Sequence, residues 1–192
     1  IFPQRFLISF CLAAVVGLVA SVASVGFVEG IDWLTKQMHI APEAREGDGL
    51  AKRLPWFTVL VPVVGGLIVG GLLLFLRGNR PQGLPDVIFA AQTGESKIPV
   101  RNGFIAAVTS FTSIGFGASV GMYGPLASLG ALIGSLLARV TADHRRLGVI
   151  ALGCGVSSAI STAFNAPIAG VIFAHEVILR HYSIRAFAPV TI

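Results

Sequence analysis

Residues 6–28, 56–76, 102–138 and 147–174 of this chain contain no charged side chain. A helix needs about 20 apolar residues to cross the hydrocarbon core of a bilayer. The first two runs fit one crossing each. The third and fourth are too long for one helix and too short for two full crossings. Each carries helix-breaking punctuation, Gly121-x-x-Gly124-Pro125 in the third and Asn165-Ala166-Pro167 in the fourth. Each is therefore expected to form two shorter helices joined by a bend within the membrane. A further segment, residues 82–94, carries Asp86 and Glu95 lies just beyond it. It reads as a short re-entrant helix. The expected fold class is all-α, a polytopic membrane helical bundle with short, broken and re-entrant helices.

Composition supports the same solvent. Charged residues make up 12% of the 192 and hydrophobic residues 54%, against roughly a quarter charged in ordinary soluble domains. The formal net charge of +5 does not indicate nucleic acid, because no basic stripe with interleaved aromatics is present. Arg5, Arg77, Arg80, Lys97, Arg101, Arg180 and Arg185 flank the apolar runs, as the positive-inside bias requires. That bias places them in the cytoplasm and the acidic residues Glu43, Glu46 and Asp48 outside. Trp33 and Trp56 sit at run edges as interfacial anchors. Cys11 and Cys154 lie in apolar segments and read as small buried hydrophobes. His39, His144, His175 and His181 lack metal-ligand spacing, so neither metal nor cofactor is expected. No signal peptide is expected, since the first apolar run is too long for one.

Breaks inside membrane helices leave backbone groups that lipid cannot satisfy. They persist where protein or a water-filled cavity covers them, and transporters build ion sites there. The small residues Gly65, Gly66, Gly70 and Gly71, the series Ala13, Gly17 and Ser21, and Gly148, Gly153 and Gly155 read mainly as close helix packing.

Three stretches carry chemistry. They are Gln82-Gly83-Leu84-Pro85-Asp86; Gly115-Phe116-Gly117-Ala118-Ser119-Val120-Gly121-Met122-Tyr123-Gly124-Pro125; and Phe164-Asn165-Ala166-Pro167-Ile168-Ala169-Gly170-Val171-Ile172-Phe173, followed by Glu176. In order and spacing they resemble the CLC family of voltage-gated chloride channels and chloride/proton exchangers, with its patterns G-S-G-I-P, G-[KR]-E-G-P and F-N-A-P-L-A-G-x-x-F-x-x-E. The resemblance implies that residues 1–192 are the first half of a CLC-like transmembrane domain, with the second, inverted half absent from this chain. It also implies anion transport, not enzyme catalysis, by a multi-pass protein of the plasma (inner) membrane. The full-length protein is expected to be a homodimer, with the helix after Asn165 near the dimer interface.

The residue chemistry agrees. Helix starts present unpaired N–H groups and the positive end of the helix dipole, and these bind anions without a basic side chain. No Lys or Arg lies in the first two motifs, and moderate binding suits rapid passage. The expected anion-binding and selectivity residues are Gln82, Gly83, Leu84 and Pro85 at one start, and Gly121, Met122, Tyr123, Gly124 and Pro125 at the other. Asn165 and Pro167 read as an N-cap and a first-turn proline.

Three departures from the family pattern bear on mechanism. Gln82 stands where the family has a serine hydroxyl. Tyr123 stands at the family's gating glutamate, with Met122 in place of the basic residue. The acidic pair after the third motif appears as Glu176-Val177, so Val177 occupies the position that relays protons in exchangers. Glu176 itself reads as structural. Together these predict passive conduction of chloride or a similar anion, with a coupled chloride/proton antiporter or a scaffold protein as the alternatives. A dinucleotide fingerprint is argued against by the extra residue in Gly115-x-Gly117-x-x-x-Gly121. A serine hydrolase is argued against by the lack of a histidine placed to pair with Ser157, Ser158 or Ser161.

Overall fold

The computed structural model describes residues 2–38, 55–74, 83–93, 98–140, 145–179 and 190–191. Among them all extended regular structure is helical. The helices are α1 (Phe2–Gln37), α2 (Pro55–Leu74), α3 (Leu84–Thr93), α4 (Val100–Gly115), α5 (Tyr123–Val140), α6 (Arg145–Ala163) and α7 (Pro167–Phe173), which continues into a π-helical turn, Ala174–Leu179. Both long runs break as expected, the third over residues 116–122 and the fourth over residues 164–166. The segment Ser9–Gln37 of α1 is long and apolar enough to cross a membrane, while Val59–Leu74, Leu147–Ala163 and Pro167–Leu179 are shorter apolar helices.

The surface is inverted relative to a soluble domain. Leu18, Val22, Leu67 and Leu74 are each about two-thirds exposed or more, whereas Ser24, Ser135 and Ser157 are buried. Water does not tolerate so continuous an apolar surface; lipid does. The chain is an integral membrane helical bundle. Trp33 and Trp56 both face outward. Cys154 is buried as expected, but Cys11 is exposed on α1, among the apolar side chains of its outer face.

Small residues determine which helices touch. The α5–α6 pair makes the most extensive contact. There Gly130 lies on the backbone of Gly155, and Gly134 on that of Ala151. Between helices already immersed in oil, hydrophobic burial adds little, so close backbone approach supplies the attraction. Gly153 packs under Leu179. On α2, Gly65 makes room for Phe116, but Gly66, Gly70 and Gly71 face open space and have no packing partner among the described residues.

Polar side chains tie α1 to α6. Ser158 Oγ donates to the Gly17 carbonyl at 2.6 Å, Ser21 and Ser158 share a hydrogen bond of 2.6 Å, and Thr162 Oγ1 donates to Ser21 Oγ at 2.9 Å. Interhelical bonds of this kind contribute about 0.6 kcal/mol each in membrane proteins. Ser158→Ala should therefore cost about 1 kcal/mol, a shift of a few degrees in thermal unfolding of the full-length protein in detergent. An unfolding shift of more than ten degrees would mean that this ladder dominates the packing, contrary to that scale.

The link between α3 and α4 is held from α5. The Ile98 N–H donates to Ser135 Oγ at 3.1 Å, and the Arg139 guanidinium donates to the Ile98 carbonyl. Pro99 then caps α4. One core unites Val87 and Ala91 of α3, Ala127, Ala131 and Leu132 of α5, Leu152, Val156 and Ile160 of α6, and Ile178. The helices that begin at the two glycine-proline motifs thus pack into a common interior. The residues read for topology, 43–48, Arg77, Arg80, Lys97, Arg180 and Arg185, lie outside the described residues.

Candidate functional site

The α5 start is built by the turn before it. Gly117 takes φ 90, a left-handed conformation that suits glycine. Its N–H bonds the Ile114 carbonyl at 2.9 Å, and the Ala118 N–H bonds Ser113 at 3.0 Å. These bonds close α4 and turn the chain outward. The first intrahelical bond of α5 runs from the Leu126 N–H to the Met122 carbonyl at 3.1 Å. Pro125 has no N–H. Tyr123 and Gly124 therefore carry first-turn donors with no acceptor inside the helix. Among the described residues, a Cβ built on Gly121 or Gly124 meets no heavy atom within 4 Å, so space lies open beside this start within them.

The side chains around it divide by role. Met122 packs against a cluster of Phe27, Ile31, Ile114 and Leu126. The residue standing at the family's basic position is thus a packing residue. Leu126 is fully buried and anchors the first turn. Tyr123 is 51% exposed. Its ring stacks on Phe164, with centroids 4.3 Å apart and planes 13° from parallel, and lies 6.3 Å from Phe173. The second and third motifs, far apart in sequence, meet through these rings.

The α3 start differs. Gly83 precedes the helix, and its N–H donates to Asp86 Oδ2 at 2.9 Å. The Asp86 and Val87 N–H groups both turn back to the Gly83 carbonyl, at 3.1 and 3.4 Å. Pro85 has no N–H. Among the described residues, Leu84 holds the first-turn N–H that the turn itself does not use. A carboxylate already occupies one donor here and stabilises the helix start. The sequence signal was available, since Gly83-x-x-Asp86 has the spacing of the reciprocal half of a capping box. Gln82 lies outside the described residues.

At α7 the capping expectation needs a correction. Ala166 is the N-cap and makes no side-chain cap bond, while Pro167 takes the first helical turn as expected. Asn165 instead adopts φ 49, the left-handed region that asparagine tolerates better than most residues. It makes the reversal that lets α7 fold back on α6. Gly170 completes that approach, resting on the Ser157 carbonyl and on Ser161. In the π-helical turn Glu176 is exposed and Val177 packs against the common core. No cluster of three or more His, Cys, Asp or Glu able to hold a metal occurs among the described residues.

Comparison with known proteins places this arrangement. A family model described as voltage gated chloride channel matches residues 65–192. A putative chloride channel protein, ClcB-like, from Ralstonia nicotianae is 31% identical over 190 residues, covering 94% of this chain and 43% of that protein. The voltage-gated ClC-type chloride channel ClcB of Escherichia coli O139:H28 is 27% identical over 187 residues, covering 94% of this chain and 44% of that protein. A crystal structure of a slow cyanobacterial Cl⁻/H⁺ antiporter matches with a TM-score of 0.69 at 22% identity, covering 95% of this chain and 44% of that one. That last likeness concerns the fold. The chain spans less than half the length of each of these relatives.

Proposed function

The chain belongs to the voltage-gated chloride channel family, and from that premise we propose that it forms the first half of a membrane domain that moves chloride or a similar anion. The observation that carries this reading is the α5 start. The Tyr123 and Gly124 N–H groups have no acceptor within their own helix, a Cβ on Gly124 meets no heavy atom within 4 Å among the described residues, and the helix dipole stands behind them. No fixed cation stands in the motif to trap the ion. The α3 start, with Leu84 and with Gln82 two residues before it in sequence, is the weaker contributor, because the Asp86 carboxylate already engages Gly83 and repels a second negative charge. A second, inverted half would supply the remaining ligands.

Conduction is passive in this reading. Tyr123 provides no carboxylate to compete with the anion, and Val177 provides no proton carrier. The antiporter reading is the alternative. It is favoured by the shared fold with a Cl⁻/H⁺ antiporter and by the exposed carboxylate of Glu176 next to Val177. The assembly is a homodimer of the inner membrane, without cofactor and without enzymatic activity. Ile168 and Ile172 project outward from α7 and suit an apolar protein interface.

The test is Gly124→Val in the full-length protein. Among the described residues the added Cβ meets no heavy atom within 4 Å, so folding of this half should be spared while the approach to the N–H groups is blocked. Chloride flux from liposomes should fall about tenfold or more, a loss of roughly 1.4 kcal/mol in transition-state terms. Normal flux from a well-assembled Gly124→Val protein would remove the α5 start from the pathway.

A further inference from the structure

The Tyr123 side chain leaves the start of α5 and rests against the start of α7. Its chain neighbours Gly121 and Gly124 have, among the described residues, nothing within 4 Å of where their side chains would begin. The ring itself is stacked on Phe164 at 4.3 Å and 13°. We propose that Phe164, backed by Phe173, is a positioning residue that parks the Tyr123 ring against the start of α7 and so keeps the α5 N–H groups accessible. This inference rests on the anion reading of the α5 start and adds what holds the ring aside.

The backbone that carries Phe164 is fixed by hydrogen bonds, although the residue itself is 38% exposed. The Phe164 N–H bonds the Ile160 carbonyl at 3.0 Å, and the Ala166 N–H bonds the Ser161 carbonyl at 3.0 Å. Asn165 locks the reversal between them with its left-handed φ. Phe173 is half-buried and packs against the common core. Tyr123, by contrast, begins its helix and is half exposed. Among the described residues, ring contact with Phe164 and Phe173 is the interaction recorded for its side chain. Stacked aromatic pairs bias a population by roughly twofold to tenfold. Removing the face of Phe164 should release the ring into the space beside Gly121 and Gly124 to about that extent.

The full-length protein in liposomes supplies the test, through a double-mutant cycle read as chloride efflux. Phe164→Ala should lower flux roughly twofold to tenfold. The same change made on top of Tyr123→Ala should have no further effect, because no ring remains to be released. Phe164→Trp, which keeps a stacking face, should retain wild-type flux. An equal loss from Phe164→Ala in both backgrounds would show that Phe164 supports the fold in general and would overturn the proposal. Unchanged or increased flux in Phe164→Ala alone would overturn it as well. A second readout does not depend on transport. With 3-fluorotyrosine at position 123, Phe164→Leu should shift and narrow the fluorine resonance as the stacking ring is lost. An unmoved resonance would mean that the stack is absent. If the wild-type protein moved no anion, the reading of α5 would fail, while the fluorine measurement would still decide whether Phe164 holds the ring.

Discussion

Gly130→Val should strongly destabilise the bundle, whereas Gly66→Val should be tolerated within it. A Cβ on Gly130 would meet the carbonyl carbon of Gly155 at 2.7 Å and the Ala159 Cβ at 2.8 Å. Carbonyl groups inside a helix cannot move aside without breaking its hydrogen bonds. The α5–α6 pair would have to separate, and Gly134, which rests on Ala151 about one helical turn away in the same interface, would lose its contact too. Overpacking a core with flexible side chains costs about 1–3 kcal/mol; a backbone neighbour should put the cost at the top of that range or above it. Domains are stable by only about 5–15 kcal/mol. At Gly66 an added Cβ meets nothing within 4 Å among the described residues. Size-exclusion profiles and thermal unfolding of both full-length variants in detergent would check the pair. A monodisperse Gly130→Val protein that unfolds within two or three degrees of wild type would refute the packing argument.

Anion movement should carry no protons. Coupled exchange needs a carboxylate that trades its proton for anion occupancy, and position 123 carries none. Tyr123 is the first residue of α5, beside the Gly124 N–H. Val177 lies against the core in the π-helical turn. With a chloride gradient across liposomes and an external pH electrode, dissipation of the gradient should leave pH unchanged. Uphill proton movement in fixed ratio to chloride would establish the antiporter instead. Tyr123→Glu should introduce pH dependence with a definite sign. The ionised carboxylate competes with the anion, so flux should be low at high pH and rise as pH falls and the group is neutralised. Full exchange should still be missing, because Val177 remains. A pH-independent flux from a well-assembled Tyr123→Glu protein would mean that position 123 does not face the anion.

The two predictions differ in how far the sequence alone could have reached them. The absence of charge from four long runs fixed the solvent, since no water-facing fold accommodates them. The punctuation at Gly124-Pro125 and at Asn165-Ala166-Pro167 fixed where the helices break, because proline lacks an N–H and constrains its own φ. Those constraints are local, so they survive without any knowledge of neighbours. Tyr123 and Val177 could be read for the same reason: whether a side chain can ionise is a property of the residue. Gly130-x-x-x-Gly134 was legible as a small-residue spacing but sits among many others. Only the packed bundle separates Gly130, which touches the backbone of Gly155, from Gly66, which has no packing neighbour among the described residues.

The remaining features depend on partners distant along the chain. Met122 packs with Phe27 and Ile31 of α1, so its role as a packing residue follows from helix placement. The exposure of Cys11 follows from which face of α1 meets α6. Asn165 looked like a cap, since asparagine serves both as an N-cap and at left-handed positions; the close approach of Gly170 to α6 selects the second. Tyr123 and Phe164 are brought to 4.3 Å by the combined placement of α5, α6 and α7. The sequence by itself determined the membrane class, the helix breaks and the chemistry available at each position, because hydropathy, proline stereochemistry and ionisation act over a few residues. The tertiary structure decided which glycines are contacts, which N–H groups stay open and where the Tyr123 ring rests, because each depends on the distance between segments that the chain order leaves free.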